Sequence, residues 1–375
     1  QGDGLVGSEM CIRDRDMPVV KPEKHFSNEY REARSRFVAA VKPAGGTLSK
    51  LDLPTGDTGD ALFTDIAWFG HKSPARALIV VSGVHGVEGF AGSAVQLAAL
   101  NNLPILDDDT ALVLIHALNP YGMAYLRRFN GNNVDLNRNF HFSSDGWQGE
   151  PEGYTLLDSF FNPTSPPSFD FFYFRAFLAW LRFGNAYVRQ AVTGGQYHYP
   201  KGLYFGGYSL EPEAAGYIAW LKNSSLLNVD KMMVVDFHTG LGRFGEQSLF
   251  LRASPDRREE LSRKLGVTVT PSKTESKTMG YHHGGGSSDV YRRLFNGGEL
   301  TCLTVEYGTY HGLRMLQALR AENQYHHYGG QNLDHWSKQN LKEAFCPGSK
   351  DWQRRVVTQG RDLIERSVNY ISTPD

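Results

Sequence analysis

The chain has 375 residues, 41% of them hydrophobic and 21% charged, with 39 Lys and Arg against 40 Asp and Glu for a net charge of -1. That balance argues against a nucleic-acid partner held by a basic surface and against a polybasic membrane anchor. Cys11, Cys302 and Cys346 lie far apart in the chain, which speaks against a disulfide scaffold and against a cysteine zinc site.

Residues 1–16 (QGDGLVGSEMCIRDRD) show no helical or strand periodicity and lack the apolar middle of a signal peptide. They are expected to be a non-native or unstructured leader ahead of Met17. No export signal follows Met17, so a cytoplasmic location is expected. Asn28 to Val41 predicts a helix, with Phe37, Val38 and Val41 along one stripe. Leu62 to Phe69 predicts a strand. Ala75 to Val81 (ARALIVV) predicts a strand buried on both faces, leading into a Gly-rich turn over Ser82 to Gly89. Ala91 to Leu100 predicts a helix. Further strands are expected over Ala111 to Ala117, Met232 to Phe237, Ser248 to Arg252 and Leu300 to Tyr307. Helices fit Asp256 to Leu265, Leu313 to Asn323 and Asp351 to Ile371. The expected fold is therefore α/β: a mostly parallel, mixed central sheet with helices on both faces, in one domain over residues 17–375.

Residues 141–228 interrupt this rhythm. They are rich in aromatics, Gly and Pro and are expected to form an insertion over one end of the sheet. The most apolar stretch, Phe169 to Val188, is broken by Asp170, Arg175 and Arg182. It falls short of the roughly 18 uninterrupted residues a membrane span needs, and predicts an aromatic-rich amphipathic helix instead.

Polar residues gather at the ends of the predicted strands, where open α/β sheets place their sites. His85 and Glu88, three apart on the turn after the first buried strand, can point at one metal ion, and zinc takes such ligands. In a chain with 13 histidines about one HxxE match arises by chance, so the pair alone is weak. His238 ends another strand, with Asp236 two residues earlier on the same face. Glu306 ends a third and is a candidate general base. Arg127 and Arg128 precede the run NVDLNRNF, whose Asn137 and Arg138 could grip a carboxylate. Tyr281 heads the Gly-rich segment YHHGGGSSD, which has the make-up of a mobile lid. His282 and His283 are adjacent, and consecutive side chains diverge, which disfavours them as shared ligands.

In this order the five elements resemble the zinc carboxypeptidase superfamily. The resemblance implies one zinc ion on His85, Glu88 and His238. It implies Glu306 as the catalytic glutamate, Arg127 or Arg128 as the transition-state arginine, and Asn137, Arg138 and Tyr281 as binders of substrate. The segments FSNEYREARSRF, LFTDIAWFG and SGVHGVEGFAGSA look like an uncharacterised bacterial branch of that superfamily, a domain of unknown function, over nearly everything from Phe26 onward. GVHGVE and DFHTG are also similar to the succinylglutamate desuccinylase and aspartoacylase deacylases. The implied activity is a metallocarboxypeptidase acting on a peptide C-terminus. The alternatives are an N-acyl amino acid deacylase with the same metal site and a non-catalytic zinc-binding protein. No nucleic-acid or membrane partner is expected.

Overall fold

The computed structural model describes residues 21–53, 59, 61–272 and 284–373. The predicted leader lies outside the described residues, as do Tyr281, His282 and His283. An eight-stranded sheet forms the centre, in the order β1-β2-β4-β3-β5-β8-β6-β7. The strands are β1 Thr47–Asp52, β2 Phe63–Gly70, β3 Arg76–Ser82, β4 Thr110–His116, β5 Lys231–Gly240, β6 Gln247–Leu251, β7 Val269–Pro271 and β8 Glu299–Gly308. Strands β4, β3, β5 and β8 run parallel, as do β6 and β7; β1–β2, β2–β4 and β6–β8 are antiparallel. The sheet is thus the mixed one that the sequence predicts.

The apolar runs explain the layering. Strands β4 and β5 are buried at every residue and β3 at all but its first. Alternate side chains of a strand face opposite ways. Leu78 and Val80 accordingly pack with helices α1 (Tyr30–Val41), α2 (Gly89–Asn101), α8 (Pro255–Leu265) and α12 (Lys350–Ser372). Ala77, Ile79 and Val81 pack on the other face with α7 (Pro212–Lys222) and α9 (Ser287–Leu294). A third cluster joins Val87 and Phe129 to α4 (Tyr154–Phe161), α5 (Phe172–Phe183), α6 (Asn185–Thr193), α10 (Gly312–Gln324) and α11 (Trp336–Phe345). The remaining helix, α3 (Pro120–Ala124), opens the loop that carries both arginines.

Two departures from the sequence reading have local causes. Strand β1 was not anticipated; as an edge strand it is exposed along nearly its whole length and carries no apolar signature. Phe169 to Val188 is two helices, α5 and α6, and not one. Gly184 between them has φ of 80°, a left-handed conformation that ends a helix. Among the described residues no helix is long and apolar enough to cross a membrane.

Candidate active site

Three parallel strands bring His85, Glu88, His238 and Glu306 together. Strand β3 ends at Ser82, and the chain turns through His85 and a 3₁₀ turn (Gly86–Glu88) into α2. The turn is seated main chain on main chain: a Cβ at Gly86 would stand 2.1 Å from the carbonyl carbon of Gly122. Only glycine fits there. Strand β5 lies beside β3 and carries His238 two residues before its end at Gly240; the register partner of His238 on β8 is Glu306.

His85, Glu88 and His238 are all buried. The imidazole centroids are 5.0 Å apart, and Nδ1 of His238 lies 3.6 Å from Oε2 of Glu88. The backbone N–H of Thr239 donates to the same Oε2 at 2.8 Å. Each imidazole turns its other nitrogen to an aspartate. Nδ1 of His85 is 3.4 Å from Oδ1 of Asp135, and Nε2 of His238 is 3.0 Å from Oδ2 of Asp236. Ser287 donates to that same Asp236 oxygen at 2.6 Å, tying α9 to the site.

The two arginines part company. Arg128 donates to Oε1 of Glu88 (2.9 Å) and Oδ2 of Asp135 (3.1 Å), and its Nη2 is 2.7 Å from Nε2 of His85. Arg127 points the other way. It is fully buried, bonded to Glu322 at 2.9 Å and to the side-chain oxygens of Asn133 and Asn323. Lys338 donates to Glu322 at 2.6 Å in the same network. Adjacent side chains diverge, so Arg127 is placed to anchor α10 and α11 and has no contact with the histidines.

Asn137 accepts from the backbone N–H of Ser287 at 2.9 Å. Arg138 donates to the carbonyls of Asn137 (2.7 Å) and Thr193 (2.9 Å), so the end of α6 holds its guanidinium, while its Nε is buried without a partner. Glu306 is half-buried, and its carboxylate accepts from Leu241 N–H at 3.4 Å. Two members of the site were not singled out from the sequence. Asp135 sits inside the NVDLNRNF run, two residues before Asn137. Tyr204 comes from the insertion, with its ring 4.9 Å from the guanidinium carbon of Arg128 and its backbone at φ 56°. A left-handed tyrosine beside a cluster of charges marks a place where tertiary structure overrides local preference. No sequence pattern announces it.

The two imidazoles are shifted in opposite directions. Burial holds His85 well below the usual imidazole range, and the positive charges of Arg128 and His238 push it further. Burial also opposes charge on His238, yet Asp236 and Glu88 outweigh it and lift that imidazole well above its ordinary value. Three carboxylates, Glu88, Asp135 and Asp236, surround the two rings, and the Arg128 guanidinium stands between His85 and Glu88. Among the described residues no group of three or more His, Cys, Asp or Glu side chains is placed to hold a metal ion. The donor chemistry itself suits zinc: two imidazoles and a carboxylate, each imidazole oriented by an aspartate.

The fold is that of the carboxypeptidases. Bovine thrombin-activatable fibrinolysis inhibitor, solved in complex with tick carboxypeptidase inhibitor, superposes with a TM-score of 0.52 at 13% identity, covering 92% of this chain and 98% of that one. A metallo-carboxypeptidase from Pseudomonas aeruginosa overlaps less well, with a TM-score of 0.45 at 13% identity over 92% of this chain and 70% of that one. The fold assignment rests on the former. Residues 26–359 match the family described as protein of unknown function (DUF2817), and the chain belongs to that family. No curated protein matches it in sequence.

Proposed function

We propose that the protein is a zinc-dependent hydrolase that cleaves an amide bond beside a free carboxylate, a metallocarboxypeptidase within one catalytic domain carrying the insertion at 141–228. The observation that supports this reading is the meeting of His85, Glu88 and His238 with Glu306 in register beside them and Arg128 among them.

His85, Glu88 and His238 would hold the zinc, which supplies Lewis acidity that acidifies water and polarises a carbonyl. Glu306 takes the proton of the attacking water and passes it to the departing amine. Arg128 turns its guanidinium to the oxygen on which negative charge develops. Asn137 and Arg138 bind the substrate's carboxylate, with Tyr281 as a further substrate-binding residue. Asp135 and Asp236 keep both imidazoles in the orientation and tautomer that ligation needs.

A deacylase of N-acyl amino acids is the second reading. It is favoured by the reach of the insertion, which sets Tyr204 against Arg128 and Thr193 against Arg138 and so crowds the approach to both arginines. Metal analysis of the purified protein, with release assays on a mixed peptide library and on N-acetyl amino acids, tests both. One equivalent of zinc with C-terminal residue release supports the carboxypeptidase reading. Cleavage of N-acyl amino acids alone supports the deacylase. Zinc with neither activity leaves a binding protein.

A further inference from the structure

Helix α5 is built inside out. Its inward side is Phe172, Ala176 and Ala179, all buried, with Phe172 stacked on Phe160 at 5.5 Å. Its outward side is large and apolar. Among the described residues 17 large hydrophobic side chains are exposed, and eight of them fall between Phe169 and Leu181. They include Phe169 at 83%, Phe174 at 59% and Leu181 at 60% exposed. Tyr173 bonds to Gln317 on α10, and Leu313, one helical turn before Gln317, is exposed as well, so the patch runs on to a second helix. Scattered surface hydrophobes need no explanation, but a contiguous aromatic face does.

The charge of the segment that carries this face is one-sided. Between Phe171 and Leu210 the chain has Arg175, Arg182, Arg189 and Lys201 and no Asp or Glu, although the whole chain is balanced. Asp170, just before it, is already engaged by Arg320 and Arg175. Arg182 and Arg189 are exposed. Pairing two copies through α5 would bring these arginines together at a drying interface with no carboxylate from that segment to meet them. An anionic lipid surface meets both features. Phe, Leu and Trp enter the acyl boundary, Tyr and Trp favour the interface, and arginines reach up to phosphates. Twelve residues at about 1.5 Å each make a helix of about 18 Å, suited to lying in the interface and too short to span it.

We infer that α5 is a membrane-seating helix, laying the face from Phe169 to Leu181 on a bilayer rich in anionic phospholipid, with Arg182 and Arg189 on the headgroups. The test is co-sedimentation of the full chain with phosphatidylcholine vesicles, with and without phosphatidylglycerol. Phosphatidylglycerol vesicles should retain about tenfold more protein at low salt, and added salt should weaken the binding. The triple variant Phe177→Ser, Trp180→Ser, Leu181→Ser should lose that binding with an unchanged circular dichroism spectrum. Independently of any folding change, Trp180 fluorescence, taken as wild type minus Trp180→Phe, should shift to the blue on vesicles and be quenched by brominated lipid. Equal retention on both vesicle types, binding that survives the triple variant, or a Trp180 signal blind to lipid would overturn the inference. So would a concentration-dependent dimer that the triple variant abolishes, since the face would then belong to a second copy. The readout is binding, so failure leaves the hydrolase reading untouched.

Discussion

His238 and Glu306 are register partners on adjacent parallel strands, β5 and β8. Partnered residues of a parallel pair present their side chains on the same face, so a candidate ligand and the candidate base are set side by side by the ladder itself. Glu306 is not needed to hold metal. Glu306→Gln should keep one equivalent of zinc and lose about 10²–10⁴ of turnover. Wild-type-like hydrolysis by this variant, measured on the best substrate from the library, would remove Glu306 from the mechanism.

The arginine pair should separate into a stability residue and an activity residue. Arg127→Met leaves Glu322 buried with Lys338 alone and should cost ~3–5 kcal/mol in denaturant unfolding. Arg128→Ala should fold, bind zinc and lose about 10²–10³ in kcat. The reverse pattern would exchange their roles.

A ligand that binds only the folded chain stabilises it by mass action, about 2.7 kcal/mol at a hundredfold excess over Kd. Dialysis against a chelator should lower Tm, and zinc should restore it. In His238→Ala neither step should move Tm. A melting temperature indifferent to zinc in the wild type would show that the His85, Glu88 and His238 cluster does not take the metal.

If Arg138 reads a carboxylate, amidating the C-terminus of a good peptide substrate should raise KM steeply and all but abolish cleavage. Equal kcat/KM for the free and amidated peptides would contradict this.

On α7, Glu213 is buried, and burial pushes its carboxyl up to about 7, with Glu211 adding to the shift against the Asn130 amide. The folded chain therefore holds this proton more tightly than the unfolded one. Its stabilisation is complete below about pH 4.5 and fades as pH rises through about 7. Glu213→Gln should match the wild type at pH 5 and exceed it by ~1–3 kcal/mol at pH 8. Equal pH dependence of Tm in both proteins would assign the effect elsewhere.

The buried strands could be read from the sequence because a strand covered on both faces has nothing but apolar residues to show, as in ALIVV and MMVV. Edge strand β1 could not, because TLSKLD is solvated and takes its shape from pairing with β2. The turn bearing His85 and Glu88 was legible as a polar turn after a buried strand, and the structure sets it beside His238. The choice between Arg127 and Arg128 was not: two neighbours of one type differ only in the direction they face, and α10 and α11 decide that from nearly 200 positions away. Tyr204 was hidden for the same reason. It reaches Arg128 only after the insertion has folded, and nothing local singles out one aromatic among so many.

The seat of Gly86 against Gly122 has a consequence for how this protein could diversify. Any substitution at residue 86 drives an atom into a peptide unit, which cannot rotate aside as a flexible side chain would. The turn that carries His85 and Glu88 is therefore closed to change at that position, and variation around it is left to the neighbouring loops, above all to the segment that supplies Tyr204 and Thr193.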